Sequence, residues 1–415
     1  MPLSYFYNLP VIKYAVKGDN EFRIYDVLGV FIVFYYIKYF KIINAEIKKI
    51  IFFRRFQYFI IYCSVSIIFT LLFSIFYRDR FIWFIQSFLY LYHMWVFYLG
   101  AVFFYLYIIN IETYKKIITY ILILIIVSSF IVILQHMGII PFLFSKVYEI
   151  GYHGFLSGTF GPNKIVLGMT MLISFTFIIG LFYESRLKIS RLLLIIALFG
   201  SSIAILLSGS RTTYVGIIVF LVYFFIRKTG KFINLGILGG VMFVFLLTVN
   251  PQIFEKINYI INNRIVNRIE GPDDIDSVED MTGVYEDLGA GRSDLHLMYV
   301  NHLLNRPYII PFGIGFNNRL LIGSSAHNMY LSLINEVGIF GLILFIRWML
   351  SFLIIKKRKL PYLQLALNGL VLSMLVTLYF GEHLYVYRPL FGILGYFMII
   401  CVLLLVPLRK SIYEK

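Results

Sequence analysis

The chain has 415 residues, of which 60% are hydrophobic and 14% are charged. Soluble domains average about 25% charged residues, and a soluble protein of this length cannot bury so much apolar surface. The net charge of +16 does not indicate nucleic-acid binding, because the basic residues form short clusters between apolar runs. The composition therefore predicts a polytopic membrane protein.

Apolar runs of roughly 20 residues, the length that crosses a bilayer, recur along the whole chain. Since lipid offers the backbone no hydrogen-bond partner, these spans are expected to be helices. We predict an all-α polytopic membrane protein with about 11–12 transmembrane helices. The predicted spans are 24–44, 56–77, 81–110, 117–138, 164–183, 191–207, 211–226, 233–249, 329–354, 361–380 and 388–407.

The basic residues predict the orientation of these spans. Nineteen lysines and arginines fall in one alternating set of loops and six in the short loops of the other set, so the first set is expected to be cytoplasmic. Eleven spans then place Met1 outside and Lys415 inside. An outside start without a signal sequence is unusual, so either Met1–Arg23 re-enters the membrane or a further span precedes the eleven.

The spans form one integral membrane domain that a long loop divides. Residues 1–249 form an N-terminal bundle, 250–327 a large extracytoplasmic loop, and 328–415 a C-terminal bundle. Within the loop, apolar spacing predicts an amphipathic surface helix over 251–270 and a second helix over 292–305. The acidic stretch between them, 271–287, is expected to be a lid or surface loop.

Arg211 is the most informative charged residue. It follows Ser208-Gly-Ser210 between two apolar spans, where a guanidinium is costly. It is either a snorkelling interfacial side chain or part of an anion site. For the second reading, Ser208 or Ser210 caps the next helix, whose N-terminus favours negative charge, and the guanidinium fork suits phosphate.

Arg292 and His327 flank the end of the large loop. Arg292 lies in Ala290-Gly-Arg-Ser293, and alone it suggests no more than an ion pair with Asp287 or Asp294. His327 lies in Ser324-Ser-Ala-His-Asn328, with Ser324 or Ser325 expected as the helix N-cap. A histidine in the first turn stays neutral and has a nitrogen that accepts a proton, although an ordinary interfacial histidine fits equally well.

The sequence offers little for metal or redox chemistry. Asp274-Ile-Asp276 matches the Asp-x-Asp of metal-dependent glycosyltransferases but lies in the acidic loop, so we expect neither a metal nor another cofactor. Cys63 and Cys401 fall within separate apolar spans, which indicates no disulfide. His93 lies inside a span, where hydrogen bonding in the core explains it most simply.

Together these stretches resemble the O-antigen ligase and polymerase superfamily of bacterial envelope enzymes. The resemblance covers about Gly158 to Gly341. Its motifs, in order, are Gly158-Thr-Phe-Gly-Pro-Asn163, Ser208-Gly-Ser-Arg-Thr212, Gly291-Arg292, Asn305-Arg-Pro307, Phe312-Gly-Ile-Gly315, Ala326-His-Asn-Met-Tyr-Leu331 and Glu336-Val-Gly338.

The resemblance implies a GT-C-like helical fold in the bacterial inner membrane, with the active site facing the periplasm. The substrate would be an undecaprenyl-diphosphate-linked oligosaccharide. Arg211 and Arg292 would hold the diphosphate, and His327 would lie beside the acceptor hydroxyl. We further predict substrate contacts from Ser210, Asn163, Asn328 and Arg388. Membrane lipid and a chain-length regulator protein are the expected partners.

The leading interpretation is an O-antigen polymerase, which extends the glycan on a lipid-linked repeat unit. The alternative is an O-antigen ligase, which transfers the glycan to lipid A core with the same chemistry. A lipid-linked glycan flippase is the alternative from another class. The long loop at 250–327 argues against it, because a transporter is expected to have short outer loops and evenly spaced spans.

Overall fold

The computed structural model describes residues 2–9, 12–13, 21–76, 81–144, 156–161, 163–249, 292–318, 325–354, 360–384 and 391–409. In these ranges the protein is almost entirely helical, apart from a two-stranded antiparallel pair, β1 (Ile12–Lys13) and β2 (Glu21–Phe22). The helices are α1 (Pro2–Phe6), α2 (Ile24–Lys38), α3 (Phe40–Lys49), α4 (Ile51–Phe76), α5 (Phe81–Tyr107), α6 (Ile111–His136), α7 (Lys164–Tyr183), α8 (Arg191–Ser208), α9 (Arg211–Arg227), α10 (Thr229–Val249), α11 (Arg292–Asn305), α12 (Met329–Ser351), α13 (Pro361–Thr377) and α14 (Phe391–Arg409).

Each of the eleven predicted spans overlies a helix. In the described ranges, six helices are long and apolar enough to cross a membrane, namely parts or all of α4, α5, α6, α7, α8 and α12. Two shorter apolar helices are Pro361–Thr377 and Gly392–Val406. The chain is therefore a helical, polytopic membrane protein, as the composition predicts.

The first predicted span, 24–44, is wrong as a single helix. It breaks at Tyr39 into α2, of only 15 residues, and α3. Helix α3 buries Ile43 and Ile47 and exposes Lys48, which is the pattern of a helix lying along a surface. The lysines that follow the apolar run of α2 favour this break, because they are costly to bury.

The buried polar residues near the first span form one cluster. The backbone N–H of Arg23 donates to Asp26 Oδ2 at 2.8 Å, and Asp26 Oδ1 contacts His93 Nε2 of α5. All three residues are buried. The core hydrogen bonding predicted for His93 is confirmed, and it explains how an aspartate is accommodated at the start of α2.

The N-terminal residues pack into the bundle. Phe6 of α1 lies against Tyr396 of α14, with ring centroids 5.0 Å apart. Asn8 donates from its backbone N–H to Thr159 O at 2.8 Å and from Nδ2 to Phe160 O at 2.7 Å. Residues 2–9 thus pack against the bundle, whereas re-entry of Met1–Arg23 into the membrane stays a prediction.

Helix α7 forms the centre of the fold. It packs against α8, α9, α13 and α14, and nearly all of its residues are buried. Small residues allow the close approach: a Cβ at Gly180 would lie 2.6 Å from Ala366 Cβ of α13. This packing places the starts of α7 and α9 beside each other.

Candidate active site

Arg211 begins α9 immediately after a tight connection from α8. Gly209 ends α8 in the left-handed conformation, with φ 60°, and Ser210 is the N-cap of α9. The Thr213 hydroxyl donates to Ser210 Oγ at 2.9 Å, and the Thr213 N–H approaches the same oxygen at 3.4 Å. The predicted cap is therefore confirmed for Ser210, and half-buried Arg211 lies at a helix N-terminus, where anions are favoured.

Helix α7 presses closely against this N-terminus. A Cβ at Gly168 would overlap Thr213 Oγ1 and would lie 3.1 Å from Ser210 Cβ. Lys164 lies four residues before Gly168 on the same helix face, one turn nearer the end of the bundle. A second cation, Lys164, therefore stands on the α7 face that meets Ser210 and Thr213 at the start of α9.

His327 lies in a strained turn that leads into α12. Its φ is 50°, a left-handed conformation that costs a non-glycine residue roughly 1–2 kcal/mol. The N-cap of α12 is Asn328, whose Oδ1 accepts from Tyr330 N at 3.0 Å and Leu331 N at 3.2 Å. The expected cap at Ser324 or Ser325 is wrong, because Asn328 takes the first-turn N–H groups.

His327 consequently precedes the helix and is not in its first turn. Its backbone N–H approaches Ser325 Oγ at 3.4 Å, and its side chain is half-buried. The argument from the helix dipole for a neutral histidine therefore does not apply in the form expected from the sequence.

Glu382 and His383 lie beneath this turn, and sequence reasoning missed both. Glu382 is buried and accepts short hydrogen bonds from the hydroxyls of Ser325 and Ser332. His383 Nε2 lies 3.2 Å from Thr377 Oγ1, and its complete burial lowers its pKa to about 3, so it is neutral. The signal was Gly381-Glu-His383, a polar sequence just beyond an apolar span.

The starts of α7, α9 and α12 and the end of α13 lie at one end of the bundle, which we call the loop end. Gly168 joins α7 to α9 there, as described above. A Cβ at Gly216 of α9 would lie 2.9 Å from Thr377 Cγ2 of α13, and the N–H of Met329 donates to Leu378 O at 2.9 Å. Arg211 and His327 thus belong to the same end.

Helix α11 confirms the predicted 292–305 helix, and it also reaches the loop end. Its first residue is Arg292, whose side chain lies outside the described part of the structure. One turn later, the His296 ring lies 5.9 Å from the ring of Tyr379, next to the end of α13. The structure therefore brings the start of α11 to the loop end, whereas the convergence of Arg211, Arg292 and His327 side chains stays a prediction.

The other predicted contacts differ in position. Asn163 is the N-cap of α7, where its Oδ1 accepts from Ile165 N at 2.9 Å, and Asn328 caps α12. Both asparagines thus have a structural task at the loop end. Arg388 lies outside the described residues, as do the predicted helix at 251–270 and the acidic stretch at 271–287.

The Phe312-Gly-Ile-Gly315 motif has a packing role. Gly338 interrupts α12 with φ 70°, and a Cβ there would overlap the carbonyl group of Pro311. The backbone N–H of Gly315 donates to Glu336 O at 2.8 Å, and that of Asn317 donates to Glu336 Oε2 at 2.8 Å. Glycines are required at 313 and 338 because these two backbones touch, and at 315 because a Cβ there would overlap the backbone of Thr70 in α4.

His302 ties α11 to α12. Its Nδ1 lies 2.9 Å from Asn335 Oδ1, and Arg306 Nη1 donates to its Nε2 at 2.8 Å. An arginine donates only, so Nε2 accepts and Nδ1 carries the proton. Partial burial and the nearby guanidinium lower the pKa of His302, although the bond to Asn335 opposes this shift. Neutral His302 therefore docks the end of the large loop on the bundle.

The chemistry available at the loop end is that of cations, hydroxyls, a histidine and a buried carboxylate. In the described ranges, no three His, Cys, Asp or Glu side chains group as metal ligands would. Asp274 and Asp276 lie outside those ranges, and the expectation that no metal is used stays a prediction. Cys63 and Cys401 are both buried and free.

Comparisons with known proteins find a match for the part of the chain that carries Arg211, Arg292 and His327. Residues 192–346 match a family model described as O-Antigen ligase, a segment that includes Arg211, Arg292 and His327. Searches of curated proteins and of solved structures found no match. The matched segment is less than half of the chain, and it supports the O-antigen ligase and polymerase superfamily, a family of glycosyltransferase-type enzymes of the inner membrane.

Proposed function

We propose that the protein is an O-antigen polymerase with a GT-C-like fold that acts at the periplasmic face. It would move a glycan from undecaprenyl diphosphate to the terminal sugar of a lipid-linked repeat unit. The observation that carries the proposal is Arg211 at the Ser210-capped start of α9, beside the α7 face that bears Lys164. A helix N-terminus with neighbouring cations is suited to a diphosphate.

In this mechanism the acceptor hydroxyl oxygen attacks the anomeric carbon of the donor sugar. The bond from that carbon to the diphosphate oxygen breaks, and the diphosphate leaves with the electron pair. Arg211 and Arg292 stabilise the negative charge that grows on the leaving group. Fixed donors of this kind contribute about 10²–10³-fold in kcat when measured one at a time.

His327 would accept the proton that the acceptor hydroxyl loses. A sugar hydroxyl is a weak nucleophile, and a positioned base typically contributes about 10²–10⁴-fold. The half-buried side chain of His327 at the loop end, on a turn that joins the large loop to α12, is compatible with this task. No metal is required by the scheme, because the cations take the place of the metal.

A second candidate, the O-antigen ligase, is favoured by the description of the matched family model. The polymerase is favoured by the Gly291-Arg292 pattern and by the Ile-, Lys-, Tyr- and Phe-rich composition. The two enzymes share donor and chemistry and differ only in the acceptor.

The lipopolysaccharide of a deletion strain tests the choice. Loss of a polymerase leaves lipid A core bearing one repeat, whereas loss of a ligase leaves core without any repeat and lipid-linked polymer that accumulates. Loss of every lipid-linked repeat from the periplasmic side would instead indicate a flippase and refute both enzymatic assignments.

A further inference from the structure

We propose that Glu382 is a positioning residue that holds the His327 turn in its reactive conformation; this rests on the proposed function of His327. The carboxylate accepts hydrogen bonds from Ser325, two residues before His327, and from Ser332, in the first turns of α12. It thereby joins the chain on both sides of the histidine. Glu382 touches hydroxyls that flank the site, so its effect on the reaction is exerted through His327.

The turn requires such a support because its conformation is unfavourable. His327 has a φ of 50°, a region that residues with a Cβ seldom adopt unless the surroundings impose it. The Ser325 hydroxyl that donates to Glu382 also lies 3.4 Å from the backbone N–H of His327. Orienting this one hydroxyl therefore orients the backbone of the histidine.

The support rests on rigid elements. The N–H of Met329 donates to Leu378 O, so the start of α12 is attached to the end of α13, four residues before Glu382. Next to Glu382, buried His383 lies 3.2 Å from Thr377 Oγ1. Glu382 is buried, with 3% of its surface exposed, which keeps water from competing for its oxygens.

Removing the hydroxyls while keeping the carboxylate separates positioning from a direct electrostatic role of Glu382. The test variant is Ser325→Ala with Ser332→Ala, and the matched control is Ser351→Ala. Ser351 is a fully buried serine at the other end of α12, where its hydroxyl donates to Trp348 O. A third variant, Glu382→Gln, keeps the size of the side chain and retains an acceptor for one hydroxyl.

Two measurements are made on the full-length protein in proteoliposomes. Hydrogen–deuterium exchange of the peptide covering 325–332 reports the turn itself and needs no activity. Transfer from undecaprenyl-diphosphate-linked oligosaccharide gives kcat and the KM for the donor. In the double serine variant we expect exchange to accelerate and kcat to fall by about 10²-fold, the cost of a misplaced catalytic group, with KM unchanged. Ser351→Ala should change neither, and Glu382→Gln should be intermediate in both.

Several results would overturn the proposal. Unchanged exchange in the double serine variant would show that Glu382 does not hold the turn. Accelerated exchange with normal kcat would show that transfer does not depend on Glu382 fixing the His327 turn. If the double serine variant has normal exchange and transfer while Glu382→Gln is inactive, the effect of Glu382 comes from its charge and not from positioning. If wild-type protein shows slow exchange but no transfer, the function is wrong and the catalytic role of Glu382 falls with it. Should the double variant not fold, the two single serine variants are expected to show the same changes at smaller size.

Discussion

The exchange of Arg211 for lysine distinguishes an anion site from a snorkelling arginine. Lysine keeps the positive charge and a long side chain, so a residue that only reaches the interface should tolerate it. At a diphosphate site, lysine loses the planar fork that binds two oxygens at once. Because Arg211 begins α9 next to the Ser210 cap, its backbone position is well fixed and a lysine there cannot easily compensate.

The expected size follows from the contacts that are lost. A charge-assisted hydrogen bond contributes about 1.5–3 kcal/mol, so losing one arm of the fork should lower kcat/KM by roughly 10-fold to 150-fold. Arg211→Ala removes the charge as well and should lower kcat by about 10²–10³-fold. Helix capping by Ser210 is untouched in both variants, so membrane insertion and protein level should remain normal.

The matched control is Arg227→Lys. Arg227 ends the same helix at the opposite end, where it is exposed and lies over the ring of Tyr223 at 5.8 Å. It should retain wild-type activity. Activity is measured as the glycan ladder in a complemented deletion strain and as transfer in proteoliposomes. Wild-type ladders from both Arg211 variants, at normal protein level, would refute the anion site and favour the snorkelling arginine.

The remaining predictions concern the loop end, the metal and the topology. Gly168→Val should lower activity and thermal stability, because the added carbons would overlap Thr213 in the contact between α7 and α9; an unaltered melting temperature would contradict this packing. His327→Ala should lower kcat by about 10²–10⁴-fold yet spare binding of the donor lipid, whereas Arg292→Ala should also weaken donor binding; equal loss of donor binding in both would argue against a base. Transfer by purified protein should persist in EDTA. Loss of transfer in EDTA that one divalent ion restores would implicate the acidic loop. Reporter fusions at Lys357 should report the cytoplasm and those at position 280 the periplasm, and the reverse at 280 would remove the basis of a periplasmic site.

Sequence patterns were sufficient for the features that depend on local composition. Apolar runs of bilayer length predicted helix in each of the eleven spans, since a backbone in lipid must satisfy its own hydrogen bonds. The serines before Arg211 predicted the cap of α9 because capping depends on neighbours within three residues. The break at Tyr39 was missed, because whether a run of mixed polarity crosses the membrane or lies along it depends on what it packs against.

The contacts between distant segments were decided by the tertiary structure alone. Nothing in the sequence places Glu382 against Ser325 and Ser332, or Lys164 on the face that meets Ser210, because these pairs are brought together by helices that are far apart in the chain. The expected serine cap was wrong because α12 begins at Met329, after the left-handed turn at His327, so Asn328 is the residue whose side chain accepts from the first-turn N–H groups. The sequence by itself determined a helical membrane protein with a superfamily motif set. The packing of α7, α9, α12 and α13 decided which of its polar residues share one end of the bundle.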